Sequence, residues 1–252
     1  ADRLARLGFD SRLIQYDDAH PTGTVPVTLD EHGSPEFTII PDVAYDYIEP
    51  TDALLNAAAG ADCVCFGTLV QRKAASRGAC RRVLAAAEKA LKLLDINLRR
   101  DCYTAGTVAE SVAHADVLKL NDSEALELTG LLGLPSDGVE GVARRLVERY
   151  GLDAVVVTLG GRGALAVTKT GAAYRPGFSV DVVDTVGAGD AFTAGFAHRH
   201  LRGAGPEECL EFGNALGAVV ATQSGGTAPL RSDDVLGFLR SGPGRVVDPA
   251  YG

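Results

Sequence analysis

What most constrains this chain is an alternation, from about residue 50 onward, of short apolar runs with helix-forming stretches, separated by turn residues. Cys63-Val64-Cys65-Phe66 reads as a buried strand, residues 77–90 as a helix rich in Ala, Arg and Leu, and Leu93-Leu94-Asp95-Ile96-Asn97 as the next strand. A helix near 108–113, a strand at 117–120, helices at 123–130 and 139–150 and a strand at 154–158 continue the series. Such alternation predicts a mostly parallel sheet covered by helices on both faces. With 252 residues and 46% apolar content, the chain is long enough for one large α/β domain, or for one such domain with a small appendage.

The appendage is expected near the start. Residues 24–29 and 36–40 alternate apolar and polar positions around the turn-rich 30–35, the pattern of a β-hairpin, with Pro26 confining its strand to an edge or a bulge. Residues 1–7 read as a helix closed by Gly8, and 12–16 as a short strand. The domain division is therefore 1–14 with 41–252 as the α/β domain and 15–40 as a β lid. The segment from Ser241 to Gly252 reads as a loose tail.

A net charge of −9 argues against nucleic acid as a partner, because phosphate backbones select a surplus of Lys and Arg. No apolar run reaches the length of a membrane span and no signal-peptide core opens the chain, so a soluble cytoplasmic protein is expected. The five cysteines show no zinc spacing and are read as free thiols, with Cys63 and Cys65 packed as small hydrophobes on one face of their strand. His198 and His200, two residues apart in a helix, face different ways and make no metal site.

Ligands of parallel sheets gather at the carboxyl ends of strands. Asp95, Asn97 and Arg99, Asn121 with Glu124, and Thr158-Leu159-Gly160-Gly161 all fall where a strand gives way to a loop. Gly187-Ala188-Gly189-Asp190 then leads into a helix. Its free N–H groups and the positive end of the helix dipole make an anion site. Glycine lets the backbone approach a phosphate. A carboxylate in that first turn can accept a hydroxyl proton while the amides hold a phosphoryl group. The same four residues could also be an ordinary loop with Asp190 as a helix cap. Likewise Glu124 could be only the capping-box acid of a helix that Asn121 caps.

The run Asp184-Thr185-Val186-Gly187-Ala188-Gly189-Asp190-Ala191-Phe192 with Gly195 resembles the C-terminal signature of the ribokinase, or PfkB-type, carbohydrate kinase family. Asp95-x-Asn97-x-Arg99, Asn121-x-x-Glu124 and Thr158-Leu159-Gly160-Gly161-Arg162-Gly163 resemble further motifs of that family, in the expected order. The resemblance implies a three-layer α/β/α sandwich with a small β-hairpin lid over the sugar. It implies ATP as phosphoryl donor, Asp190 as base, and the amides of Gly187, Ala188 and Gly189 as the anion hole. It also implies Arg99 on the transferring phosphate and Asn97 with Asp190 on the acceptor. Asn121, Glu124, Thr158, Gly160, Gly163, Asn214 and Gly226 would hold the nucleotide, with Glu124 reaching Mg2+ through water. Asp184 and the Val186 carbonyl would hold a monovalent cation, K+.

Residues 65–72, Pro21-Thr22-Gly23-Thr24 and Asp95-Ile96-Asn97-Leu98-Arg99 look most like fructokinase-type members. A 2-keto-3-deoxygluconate or a nucleoside acceptor remains open, as does a non-catalytic nucleotide or sugar binder. For a sugar acid, Arg72 and Arg99 are the candidate cations. The family's first strand, with its sugar-binding Asp and Gly-Gly signature, has no counterpart here. That gap and the absence of Met imply a further segment ahead of Ala1. The alternating apolar residues Val25, Val27 and Leu29 predict a homodimer through the lids.

Overall fold

The computed structural model describes residues 10–29, 35–227 and 229–251. The hairpin is present but shorter than expected. Strands β1 (Val27–Leu29) and β2 (Pro35–Phe37) pair antiparallel with Val27 opposite Phe37, forming a two-stranded sheet of their own. The expected helix at 1–7 lies outside the described residues.

The expected strand at 12–16 is not formed. Ser11–Leu13 is instead a 3-10 turn capped by Asp10, whose carboxylate accepts from the Arg12 amide at 3.0 Å. Leu13 is exposed, and among the described residues no strand lies beside that stretch to pair with it.

Helix α1 (Asp52–Ala59) leads to strand β3 (Cys63–Phe66), α2 (Ala74–Ala86) and β4 (Leu91–Asp95). The second helix starts and ends a turn earlier than its composition suggests, and β4 begins two residues sooner. Asn97 stands at φ 42°, a left-handed conformation that ends the extended run, so Ile96 is the last buried residue before the loop. Helix α3 (Ala105–Ala113), β5 (Val117–Asn121), α4 (Asp122–Leu132), α5 (Gly138–Tyr150) and β6 (Ala154–Thr158) follow.

Strands β3 to β6 pair in parallel and in chain order. Two more strands, β7 (Ala164–Thr168) and β8 (Gly171–Arg175), add antiparallel at the edge and complete a six-stranded sheet. The short β9 (Gly177–Phe178) follows. The chain then runs through α6 (Ala188–His200), α7 (Pro206–Ala221), α8 (Ser232–Arg240) and β10 (Arg245–Val246), which pairs antiparallel with β9.

Successive strand residues point to opposite faces, and the two faces differ. One presents Leu94, Leu118, Leu120, Val155, Val157, Leu165 and Val167 to α3, α4 and α5. The other presents Leu93, Val117, Ala154, Val156, Ala164 and Ala166 to Phe192 and Phe196 of α6 and to Cys209 and Leu210 of α7. Small residues on that second face bring α7 close to β7 and β8, and α6 lies alongside α7. Between the helices, Gly195 and Gly213 let the backbones meet, since a Cβ on Gly195 would stand 3.1 Å from the Gly213 Cα. The result is the expected helix-sheet-helix sandwich.

Candidate active site

Helix α6 starts where the sequence places its anion site. Gly187 caps it at φ 81°, and a Cβ there would come within 2.8 Å of the Gly226 Cα. This close approach sets the start of α6 against the 224–227 turn. Asp184 reinforces the junction: one carboxylate oxygen accepts from the Val186 amide at 2.9 Å, and the other accepts from Gly225 at 3.0 Å. These two bonds hold the Asp184 carboxyl below the ordinary aspartate range. Of the three amides expected in the anion hole, that of Ala188 donates to the Thr185 carbonyl at 3.2 Å, whereas those of Gly187 and Gly189 have no partner among the described residues.

The first turn of α6 separates two cavities. One, of about 690 Å3, is lined by Asn121, Thr158, the Gly160–Gly163 loop, Asn214, Ala188 and Gly189. The other, of about 500 Å3, is lined by Cys65, Gly67, Asp95, Asn97, Asp190 and Thr193. Asn121, Thr158, Gly160, Gly163 and Asn214, expected for nucleotide, line the first, and Asn97 and Asp190, expected for the acceptor, line the second, whereas Glu124, Gly226 and Arg99 line neither. Asp190 is exposed, in the second cavity. Cys65 is also exposed there rather than packed away, because β3 is the edge of the six-stranded sheet.

A network beneath that turn escaped sequence reasoning. Lys119, in β5, donates to both oxygens of Asp95 at 3.0 and 3.1 Å, each side chain being 12% exposed. Thr193 of α6 lies 2.8 Å from Asp95 and 3.0 Å from the Gly189 carbonyl. The Lys119 ammonium stands 3.4 Å from where a Cβ on Gly189 would be. One cation therefore ties the ends of β4 and β5 to the helix that carries Asp190. A lone Lys in Val117-Leu118-Lys119-Leu120 has no spacing signal; its only mark is a charge inside an apolar strand.

Other expected residues are placed as follows. Glu124 is buried: one oxygen accepts from the Asn121 amide at 2.8 Å and the other from the Leu98 amide at 2.8 Å, while Asn121 accepts from the Glu124 amide. It is a capping-box acid that also fixes the Asn97–Arg99 loop. Arg99 is exposed and donates to the Leu98 carbonyl at 3.2 Å. Asn214 of α7 donates to the carbonyls of Arg175 and Pro176. A Cβ on Gly163, at φ 101°, would run into the Arg175 carbonyl and Gly177, so the 160–163 loop packs directly on the turn after β8. Arg72 is committed: its guanidinium donates to both oxygens of the fully buried Asp46 at 2.6 and 2.7 Å and to the Ile40 carbonyl. Burial works against ionisation of Asp46, but the Arg72 partner outweighs it and the carboxyl is held down.

Among the described residues no helix is long and apolar enough to cross a membrane, and no group of three or more His, Cys, Asp or Glu could hold a metal ion.

The arrangement is similar to known kinases. A fructokinase of Klebsiella pneumoniae is 30% identical over 249 residues, covering 92% of this chain and 78% of that protein. An ATP-dependent ribose-1-phosphate kinase of Halopiger xanaduensis is 42% identical over 130 residues, 52% of this chain but 40% of the relative. The crystal structure of fructokinase from Vibrio cholerae O395, in a fructose, ADP and calcium ion bound form, superposes with a TM-score of 0.78 at 26% identity, covering 94% of this chain and 80% of that one. The chain is thus shorter than these relatives. The profile of the pfkB family carbohydrate kinases matches residues 1–233, and the chain belongs to that family.

Proposed function

We propose that this protein transfers the γ-phosphoryl group of ATP to a hydroxyl of a small neutral sugar of the fructose type. The observation that carries the reading is the first turn of α6 standing between two cavities, with Gly189 lining one and Asp190 the other. A γ-phosphate seated on the helix-start amides from one side would meet an acceptor hydroxyl from the other, within reach of the Asp190 carboxylate. Asp190 takes the proton, Asn97 orients the acceptor, and Arg99 offsets charge on the moving group. Asn121, Thr158, Gly160, Gly163, Asn214 and Gly226 belong to the nucleotide side.

Magnesium fits as an ion carried by the phosphates that keeps most of its waters, since Glu124 spends both oxygens on amides. Asp184 and the Val186 carbonyl would hold K+ beside the helix start. A neutral sugar is favoured over a sugar acid because Arg72, the more buried candidate cation, is neutralised by Asp46. The protein works in the cytoplasm, with the unit at 15–40 as a lid.

A coupled assay of ATP consumption with fructose, ribose, ribose 1-phosphate, 2-keto-3-deoxygluconate and adenosine tests the reading. Turnover with fructose well above the others is expected. Preference for 2-keto-3-deoxygluconate or adenosine would replace the substrate class, and no turnover with any acceptor beside intact ATP binding would make the protein a binder.

The lid strands β1 and β2 pair only with each other among the described residues, and Val25 beside them is exposed. We therefore propose a homodimer joined through the lids. Sedimentation at micromolar concentration should give twice the chain mass; a monomer there rules this out.

A further inference from the structure

The segment that reads as a loose tail is fastened to the nucleotide side of the site. The Gly244 carbonyl accepts from the Ser179 amide at 2.8 Å, and β10 pairs with β9, Arg245 opposite Phe178 and Val246 opposite Gly177. The Arg245 guanidinium lies 3.9 Å from the Phe178 ring centroid and pairs with Glu211. Asp248 is buried, its side chain 6% exposed, and accepts from Arg162 at 2.5 Å. The Asp248 amide donates to the Tyr174 hydroxyl at 2.7 Å, that hydroxyl donates to the Arg162 carbonyl at 2.7 Å, and Tyr251 stacks on Tyr174. The other arm of Arg162 reaches Asp122, at the start of α4, at 2.7 Å.

Arg162 sits in the Gly160–Gly163 loop, and Val246 lines the larger cavity beside Phe178 and Asn214. Glycines at 160, 161 and 163 leave Arg162 as the one side chain by which that loop can be held, and the two at positive φ make it intrinsically adaptable. Beyond its own backbone turn, in which the Leu159 amide donates to the Gly163 carbonyl at 2.8 Å, its side-chain anchors are the partners of Arg162. These contacts lie beyond residue 233, where the family match ends.

We propose that the segment 244–251 is a clasp on the nucleotide loop, in which Asp248 is a positioning residue that acts through Arg162 to hold Gly160–Gly163 in its ATP-binding shape, while Val246 forms part of the wall. The proposal rests on the larger cavity being the nucleotide site. Losing the clasp lets the loop sample other shapes, so ATP affinity falls by the fraction of time it spends in the competent one. The acceptor cavity, on the far side of α6, is untouched.

The test is a double-mutant cycle in the whole protein with Asp248→Ala, Arg162→Ala and the pair, reading ATP Kd by titration, KM for ATP and for the sugar, and thermal midpoint. Asp248→Ala should raise the ATP Kd roughly fivefold or more, leave KM for the sugar in place, and add nothing to Arg162→Ala. Asp248→Glu should recover part of the affinity, and Asp248→Asn serves if the alanine variant does not fold. An unchanged ATP Kd in Asp248→Ala, or additive effects in the pair, would overturn the clasp. A parent protein that binds no ATP would overturn the site reading itself, whereas parent binding with unaffected Asp248 variants removes the clasp alone.

Discussion

At the scale of single residues, the proposed chemistry rests on where one carboxylate stands relative to backbone amides. Asp190 is exposed in the second cavity, one residue past Gly189, while the amides that would hold phosphate belong to the main chain and survive any substitution there. Asp190→Asn keeps the shape and removes the basicity, so turnover should fall at least about a hundredfold with ATP affinity nearly unchanged. Single-turnover assays and ATP titration on the same preparation check this; near-normal turnover would reduce Asp190 to a helix cap. The Lys119–Asp95–Thr193 network explains how that carboxylate is held without touching it. Thr193 lies one helical turn beyond Gly189, so its bond to Asp95 pins the start of α6 to the end of β4, and Lys119 neutralises the Asp95 charge close to Asp190.

At the scale of elements, what could be read from the sequence and what could not differ for a physical reason. The capping box of α4 was legible because its partners, Asn121 and Glu124, are three residues apart and satisfy each other locally. So were the polar ends of β4, β5 and β6, since strand ends must turn polar where the core stops. The clasp was not legible: Arg162 and Asp248 are 86 residues apart, and Ser241-Gly242-Pro243-Gly244 carries every local mark of a free end. Strand β7 was missed because Ala164 and Ala166 are weak strand formers whose small size fits the close approach of α7.

Asp184 is a bridge between elements with a testable pH signature. Its carboxyl is lowered by the Val186 and Gly225 amides, so the stabilisation it gives is complete above the unfolded aspartate value and is lost as pH falls through the lower, folded value. The Val186 and Gly225 amide signals should titrate together, with an apparent pKa below that of an ordinary aspartate. The protection of both amides relative to their intrinsic exchange rate at each pH should fall in acid, and Asp184→Asn should abolish the titration. Independent titration of the two amides, or a midpoint above the ordinary value, would mean that the carboxylate does not bridge the two turns.

At the scale of the whole molecule, the sandwich is asymmetric, and the asymmetry has a functional side. Helix α7, with the Asp190 helix α6 packed along it, covers the face that includes Ala154, Ala164 and Ala166, while branched residues fill the opposite face against α3, α4 and α5. A small-residue face has no slack: an added methyl group there has to push α7 outward, and α6, packed on α7 through Gly195 and Gly213, with it, because close-packed interiors transmit strain rather than absorb it. Neighbours in β7 point to opposite faces, so Ala166 and Val167, both fully buried, form a matched pair of probes. Ala166→Val should cost about 1–3 kcal/mol by overpacking, and by shifting α6 it should also lower kcat. Val167→Ala should cost a similar amount, about 1–3 kcal/mol, through the cavity it leaves, but its neighbours are helices that do not carry Asp190. Urea unfolding together with kcat at saturating ATP and sugar separates the two. If Ala166→Val and Val167→Ala lower stability alike and leave kcat alike, the small-residue face is a packing detail, and the position of Asp190 is set by the Lys119–Asp95–Thr193 network alone.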